Sequence, residues 1–290
     1  MEEVVEGRMS ARLVLFTLFL CVLWGGLTPA VKVALRDIPP LGLAGVRFGI
    51  AGVVLWTWCR IRGIKLGPSQ GEWVHLALVS ACFVAQMSSI NLGVKYTSAS
   101  HAIVFLYTYP LFASLFAHWT VPGDKLTLPV ILGLALAFLG VAVIYAEAWA
   151  KGGRLGDGLS LTSGLILGWM TAYIKVLLRR MNLFKILVWE MALGVPVFFL
   201  ASIFLESGPY HLTLPGAISI VYQSLGITVV GFALWAYVLR QSPVARFTSF
   251  FFLTPLLGIV LSYMTLGEPV TPQLSLGTLL VAGGIYLANR

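Results

Sequence analysis

The ionisable side chains inside the long apolar runs are the residues best placed for chemistry. Glu190 lies about six residues inside such a run, and Lys175 lies near the adjacent end of the preceding run, at similar depth. Charges in this setting are costly and are usually retained for a function. The two can pair with one another; alternatively, Lys175 extends its amine to the aqueous boundary.

Arg47 lies about seven residues inside another run and is open to three interpretations. As a functional group it would attract the carboxylate of a small molecule, or it would pair with Asp37. As a structural group it would donate to backbone carbonyls that a broken helix leaves free. Its depth from one side and that of Glu190 from the other keep these two charges apart.

Enzyme motifs give little support for catalysis. There is no HExxH, HxxxxD or Walker A pattern, the string GPSQG at 67–71 fits GxSxG by spacing alone and lies in a predicted loop between two apolar runs, and the four histidines are scattered. The three cysteines, Cys21, Cys59 and Cys82, have no CxxC spacing and are interpreted as packing residues. We therefore expect no enzyme, no metal, no cofactor and no ATP hydrolysis.

Polar and aromatic side chains near the middle of the apolar runs are the candidate ligands of a small molecule. Aromatic walls with a few amide groups suit a partly apolar solute, although such residues also form interfacial belts and interhelical hydrogen bonds. The predicted cavity residues are Trp24, Thr28, Gln86, Asn91, Tyr107, Trp169, Tyr173, Tyr222, Gln223 and Phe250.

The elements that carry these residues are predicted to be membrane helices. The chain is 59% hydrophobic and only 10% charged, whereas soluble domains carry about 25% charged residues. Apolar runs of about 20 residues recur along it, each long enough to cross a bilayer. The net charge of +8 lies in short clusters at the ends of these runs, so we interpret it as a topological signal and expect no nucleic-acid partner.

Ten spans are predicted, and no soluble domain is attached. Their bounds are about 13–35, 40–59, 73–93, 99–121, 127–146, 157–178, 184–205, 216–239, 244–265 and 272–289. With the N-terminus in the cytoplasm, the cytoplasmic segments hold twelve basic residues and the outer segments five. This asymmetry places both termini in the cytoplasm.

The second half of the chain repeats the first. Pro110 and Pro255 lie 145 residues apart in a chain of 290, and Gly133 and Gly140 match two later glycines at almost the same interval. The segment GDKLT at 123–127 matches GEPVT at 267–271, so Asp124 aligns with Glu268. We divide the chain at 1–150 and 151–290. Five spans in each half invert the second half, a feature of many secondary transporters.

A family resemblance rests on these features. Ten spans in two halves of five resemble the drug/metabolite transporter superfamily, as do the pair Trp24–Gly25, Arg47, and the element Pro110-x₁₂-GDKLT with its echo Pro255-x₁₁-GEPVT. Within the superfamily the chain is most similar to bacterial exporters of amino acids, particularly aromatic ones. The resemblance implies a monomeric carrier in the cell membrane, whose small-molecule substrate crosses by alternating access.

The scarcity of acids at depth favours facilitated diffusion, because ion-driven carriers usually keep an acid within the membrane. The alternatives are a carrier of another amphipathic metabolite or drug, such as a nucleoside or sugar derivative, with or without proton coupling, and a non-transporting scaffold.

The two prolines complete the prediction. A proline within a helix removes one backbone hydrogen bond and clashes with the carbonyl four residues earlier. Pro110 and Pro255 therefore predict matching bends in the fourth and ninth spans, and we expect these bends to act as gates on opposite sides of the membrane.

Overall fold

A computed structural model describes residues 11–120, 127–151, 153–208, 210–241 and 250–288 of the chain. Helices form ten spans within these residues, and no strand occurs among them. Asp124 with most of the GDKLT segment, and the first residues of the predicted ninth span, lie outside the described residues. The predicted helical membrane architecture is confirmed.

The first half of the chain supplies five of the spans. Their bounds are Ala11–Gly25 continued by Leu27–Ala34, Pro40–Ile61, Glu72–Tyr96, Ala99–Leu106 continued by Tyr109–Thr120, and Leu128–Lys151.

The second half supplies the other five. Their bounds are Arg154–Leu177, Leu183–Leu205, Leu214–Val221 continued through a π-helical stretch Tyr222–Val230 into Gly231–Gln241, a 3₁₀ turn Phe250–Phe252 followed by Leu253–Leu266, and Pro272–Ala288. The first eight spans are long and apolar enough to cross a membrane, and the last two are shorter apolar helices.

Local sequence signals fix several span boundaries. The side chains of Ser98, Asn182 and Thr213 each accept a hydrogen bond from a backbone N–H in the first turn of the following helix. Gly63 and Gly267 follow the second and ninth spans with φ of 66° and 67°, a conformation that costs little without a Cβ.

Short connections make consecutive spans run in opposite directions. We call the end of the bundle where the first span begins the Ala11 end, and the opposite end the Ala34 end. The sequence predicts that the Ala11 end is cytoplasmic.

The spans pack in a pattern that pairs the two halves. The first span packs against the eighth and ninth, and the sixth packs against the third and fourth. The second packs against the seventh, and the fifth against the tenth. The first span of each half therefore contacts the third and fourth spans of the other half.

Glycines allow the fifth and tenth spans to approach closely. A Cβ added to Gly133 would lie 2.5 Å from the carbonyl oxygen of Gly284, and one added to Gly140 would lie 2.5 Å from that of Gly277. Real Cβ atoms do not come this close to backbone. The glycines that match between the halves thus form one seam, at which small residues let two membrane helices pack backbone to backbone.

Candidate functional site

Irregular helix geometry is concentrated near the middle of the bundle. The first span breaks at Gly26, and the eighth widens into π-helical turns over Tyr222–Val230. Segments of this kind often mark functional sites. Within a membrane, the backbone groups they leave without helical partners need other partners from the protein.

The first and eighth spans supply such partners to each other. Tyr222 donates its hydroxyl to the carbonyl of Leu23, 2.6 Å away, one turn before the break. The indole Nε1 of Trp24 donates to the carbonyl of Ile227 at 3.3 Å. Two predicted cavity residues therefore join the broken helix to the widened one.

The fourth span is also interrupted, as Pro110 predicts. The first of its two helices ends at Leu106, and the second begins at Tyr109. The carbonyl of Leu106 is the one with which the ring of Pro110 would clash in a continuous helix. The hydroxyl of Thr108 donates to the carbonyl of Phe105 at 2.6 Å in the turn between them. The interruption brings Tyr107 into the same core cluster as Trp24.

The ninth span begins irregularly near its proline. Pro255 is the third residue of Leu253–Leu266 and follows the 3₁₀ turn that contains Phe250. The carbonyl of Phe250 accepts a hydrogen bond from Sγ of Cys21 at 3.4 Å, so this turn lies against the first span. A gating role for either proline stays a prediction.

Arg47 is buried beside these irregular helix segments, with 2% of its surface exposed. It donates from Nη1 to Oε1 of Gln223 at 3.0 Å and from Nη2 to the sulfur of Met87 at 3.2 Å. Its guanidinium carbon lies 4.2 Å from the ring centroid of Phe48. The Nε atom has no hydrogen-bond partner, and no carboxylate is among its contacts in the described residues.

Asp37, the alternative partner of Arg47, is bonded elsewhere. Its carboxylate accepts hydrogen bonds from the backbone N–H and the hydroxyl of Thr213, at 2.8 and 2.6 Å. These bonds favour the ionised form, so the pKa of Asp37 lies below its usual range. Asp37 thus ties the loop after the first span to the start of the eighth, and the charge of Arg47 is left without an acidic counterpart in the described residues.

Three further polar side chains near these segments are also enclosed. Thr28, two residues after the break, is fully buried, and its hydroxyl has no hydrogen-bond partner; the same holds for Thr254 in the ninth span. Gln223 is fully buried and donates to Oγ of Ser219 at 3.0 Å. We call Trp24, Thr28, Arg47, Tyr107, Tyr222, Gln223 and Phe250 the central group.

Other predicted cavity residues lie between the third span and its neighbours. Gln86 donates to Oγ of Ser163 at 2.8 Å, and Asn91 donates to the carbonyl of Pro40 at 2.9 Å. In each case the amide oxygen is buried without a partner. These two amides join the third span to the sixth and to the second.

Trp169 and Tyr173 stack on each other in the sixth span, with ring centroids 4.9 Å apart. The Tyr173 hydroxyl lies 2.6 Å from Nδ1 of His75. Both rings pack on a cluster formed mainly by the second, third and seventh spans. The structure thus places them apart from the central group, toward the Ala11 end.

Glu190 and Lys175 lie in different surroundings. Glu190 is 4% exposed, and its Oε1 atom has no hydrogen-bond partner. The side chain of Lys175 is exposed. Their pairing stays a prediction.

A set of polar contacts at the Ala34 end was not predicted from the sequence. Glu268 accepts hydrogen bonds from the backbone N–H groups of Ala99 and Ser100, at 2.8 and 2.9 Å, where the fourth span begins. Glu206 accepts bonds from Leu41 and Gly42 in the same way at the start of the second span. Both carboxylates come from the second half and bind a helix N-terminus in the first half, where a negative charge is favoured.

Two further side chains, those of Lys32 and Asp157, tie the turn after the third span to its surroundings. Lys32 donates to the carbonyls of Val94 and Thr97. Asp157 accepts from the Thr97 hydroxyl and lies 3.0 Å from Nδ1 of His101. The position of the acids directly at span ends was the sequence feature that could have predicted these contacts. Their hydrogen-bond partners are more than 50 residues away in the sequence, so the partners could not be identified from it.

The fold and the enclosed polar group define a multi-pass helical membrane protein of the transporter class. The model of the EamA-like transporter family matches the chain twice, over residues 11–146 and 154–290. The chain belongs to this family, which is part of the drug/metabolite transporter superfamily. The expected superfamily is therefore confirmed, together with its two-repeat architecture.

Individual relatives cover nearly the whole chain. An uncharacterized transporter of Bacillus subtilis, YvbV, is 28% identical over 97% of this chain and 92% of its own length. A probable amino-acid metabolite efflux pump of Escherichia coli is 24% identical, with 96% and 95% covered. A crystal structure at 18% identity aligns with a TM-score of 0.70 over 97% of this chain and 98% of that one, which shows the shared fold.

Proposed function

We propose that this transporter exports small organic solutes that carry a carboxylate, with amino acids, including aromatic ones, as its main substrates. The central group is the proposed substrate site. The name of the Escherichia coli relative, a probable amino-acid metabolite efflux pump, supports this substrate class.

The observation that carries the proposal is the uncompensated charge of Arg47. Guanidinium groups bind carboxylates through paired hydrogen bonds, and a charge held at this depth without an acid is costly unless a ligand repays it. Arg47 already orients two of its nitrogen atoms through Gln223 and Met87. A substrate carboxylate would meet a positioned cation, and the rings of Trp24 and Tyr222 would contact an aromatic side chain.

Transport is proposed to follow alternating access between two inverted halves. The reciprocal packing of first spans against the third and fourth spans of the opposite half supports this arrangement. The contacts of Glu268, Glu206 and Lys32 support a conformation closed at the Ala34 end. The interrupted fourth and ninth spans are the proposed moving parts.

Facilitated diffusion down the substrate gradient is the proposed driving mode. Most acids in the described spans and loops hold fixed structural contacts, such as Asp37 with Thr213 and Glu268 with Ala99. We further propose that the protein is a monomer in the cell membrane and that both termini are cytoplasmic.

Counterflow in proteoliposomes tests the proposal. Vesicles loaded with unlabelled phenylalanine and placed in labelled phenylalanine should accumulate label with no ion gradient, whereas phenethylamine, which lacks the carboxylate, should neither compete nor be taken up. Arg47→Gln should abolish this discrimination, and Arg47→Lys should retain part of it because the positive charge remains. An absolute requirement for a pH gradient would exclude facilitated diffusion, and equal use of the amine would exclude carboxylate recognition.

Glu190 favours a second candidate, a proton-coupled carrier of another amphipathic metabolite or drug, such as a nucleoside or sugar derivative. A buried carboxyl with an unpartnered oxygen is a suitable group to bind and release a proton. In that case Glu190→Gln should remove the response of uptake to an imposed pH gradient while counterflow persists. A gradient response that survives in Glu190→Gln excludes this role for the residue.

A further inference from the structure

A groove between the first and eighth spans lies outside the proposed substrate site. Its volume is ≈ 450 Å³, within the range of small-molecule sites. It is lined by Arg12, Phe16, Val229, Val230, Ala233, Leu234 and Tyr237. It opens toward the outside of the bundle, where Val230 and Tyr237 are 47% and 36% exposed. No residue of the central group lines it.

The groove is apolar along its length and cationic at one end. Its eighth-span wall extends from Val229 to Tyr237, which at 1.5 Å per residue is a length of about 12 Å. Arg12, in the first turn of the first span, closes the Ala11 end. The groove therefore runs from the edge of the apolar layer, which is about 30 Å thick, almost to its middle.

The cation is held in place by aromatic rings. The guanidinium carbon of Arg12 lies 5.4 Å from the ring centroid of Phe16 and 5.9 Å from that of Tyr237. These cation–π contacts orient the group without neutralising it. Arg12 is itself exposed, with these two rings beside its guanidinium group. An anion at the surface of the apolar layer can approach it directly.

We propose that this groove binds one anionic phospholipid, with an acyl chain along Val229–Leu234 and the phosphate at Arg12. The apolar trough open to the bilayer favours a lipid over a water-soluble anion, which would gain only the contact with Arg12. An acyl chain of a neutral lipid would fill the trough equally well, so the guanidinium supplies the selectivity for a negative headgroup.

The bound lipid would contact a part of the eighth span that supports the central group. Val229 and Val230 are the last residues of the π-helical stretch. The next residue, Gly231, would place an added Cβ 2.7 Å from Nε1 of Trp24. Lipid binding at the groove is nevertheless independent of which substrate the protein carries, and it is tested by binding alone.

Native mass spectrometry of the detergent-solubilised full chain tests this site. Phosphatidylglycerol and phosphatidylcholine of identical acyl chains are titrated separately, and the affinity of the first retained lipid is compared. Arg12→Gln should weaken phosphatidylglycerol binding about five-fold, which is the gain in affinity that one basic residue contributes near an anionic lipid surface. The affinity for phosphatidylcholine should be unchanged. Ala233→Trp, which fills the trough and keeps the charge, should weaken both lipids.

Arg60→Gln is the matched control. Arg60 is an exposed arginine at the same end of the bundle, and its guanidinium carbon lies 5.8 Å from the ring centroid of Trp56, but it is not part of the groove. Retention of phosphatidylglycerol should be the same in this variant as in the wild type.

Three results would overturn the proposal. Equal binding of the two lipids by the wild type would indicate non-selective surface lipid. Equal losses in Arg12→Gln and Arg60→Gln would indicate a general effect of charge. Displacement of phosphatidylglycerol by millimolar inorganic phosphate would indicate a site for a free anion, to which the apolar part of the groove contributes no binding.

Discussion

Replacing Glu268 by glutamine is predicted to open the Ala34 end of the bundle. The carboxylate of Glu268 accepts three hydrogen bonds, from the backbone N–H groups of Ala99 and Ser100 and from the Ser100 hydroxyl at 2.7 Å. It joins the loop between the ninth and tenth spans to the first turn of the fourth. Glutamine keeps the shape of the side chain but loses the charge and one acceptor oxygen.

The size of the effect follows from these contacts. Hydrogen bonds to a charged group contribute about 1.5–3 kcal/mol each, and a carboxylate at a helix N-terminus adds about 0.3–1 kcal/mol. Because the remaining oxygen of glutamine keeps part of the bonding, we take the net loss as about 2 kcal/mol. This corresponds to a shift of about 30-fold in the equilibrium between the closed and open conformations.

Alkylation of a cysteine at Thr28 measures this shift. The Thr28 side chain is fully buried in the closed structure, so the labelling rate reports the open fraction. The reporter Thr28→Cys is placed in a Cys82→Ser background, because Cys82 is the partly exposed native cysteine whereas Cys21 and Cys59 are buried. Glu268→Gln should raise the rate of reaction with a maleimide about 30-fold.

Glu147→Gln provides the control for this experiment. The Glu147 carboxylate lies at the same end and accepts a hydrogen bond from the Thr271 hydroxyl at 2.8 Å, between spans that already pack along their length. Its replacement should leave the labelling rate nearly unchanged. An unchanged rate in Glu268→Gln, or equal increases in both variants, would refute the reasoning. Thermal melting must show that the variant is still fully folded at the labelling temperature, since unfolding would also expose the reporter.

Three further predictions concern stability and gating. Gly277→Leu should lower the free energy of unfolding by about 1–3 kcal/mol or prevent folding, because its side chain would meet backbone across the glycine seam; Gly67→Leu, with nothing within 4 Å of an added Cβ, should melt like the wild type in the same thermal assay. Pro110→Ala and Pro255→Ala should slow counterflow while leaving the protein folded, and full activity in both would rule out their gating role. Because its pKa is lowered in the folded state, Asp37 should stabilise the protein above the pKa of an unfolded aspartate, and that stability should be lost as pH falls through the folded-state pKa. Asp37→Asn should flatten this acid limb in melting curves between pH 6 and 3, and an unchanged limb would contradict the assignment.

Hydropathy and helix breakers in the sequence were sufficient to predict the membrane architecture. A helix that satisfies its own backbone hydrogen bonds can be predicted locally, so ten spans and the interruption before Pro110 could be derived without knowing any contact. The break at Gly26 and the π-helical turns after Val221 were not predicted, because each depends on hydrogen bonds from another span, such as the one from Tyr222 to Leu23.

The candidate site was predictable in its residue types but not in its grouping. Trp24 and Tyr222 come together, as do Arg47 and Gln223, whereas Trp169 and Tyr173 pack with His75 elsewhere. Sequence position gives the depth of a side chain in its span but not the direction in which it points around the helix axis. That direction is set by which spans are neighbours.

The sequence by itself therefore determined the class of fold, the number of spans, the repeat and the short list of costly buried charges, since these depend on local hydropathy and backbone chemistry. Only the tertiary structure decided which charges are paired. In the structure Asp37 accepts hydrogen bonds from Thr213, Arg47 has no acid beside it in the described residues, and Glu268 accepts hydrogen bonds from the start of the fourth span. The physical reason is that an ion pair or a capped helix end is fixed by a distance of about 3 Å between residues far apart in the chain, and such distances exist only after the helices have packed.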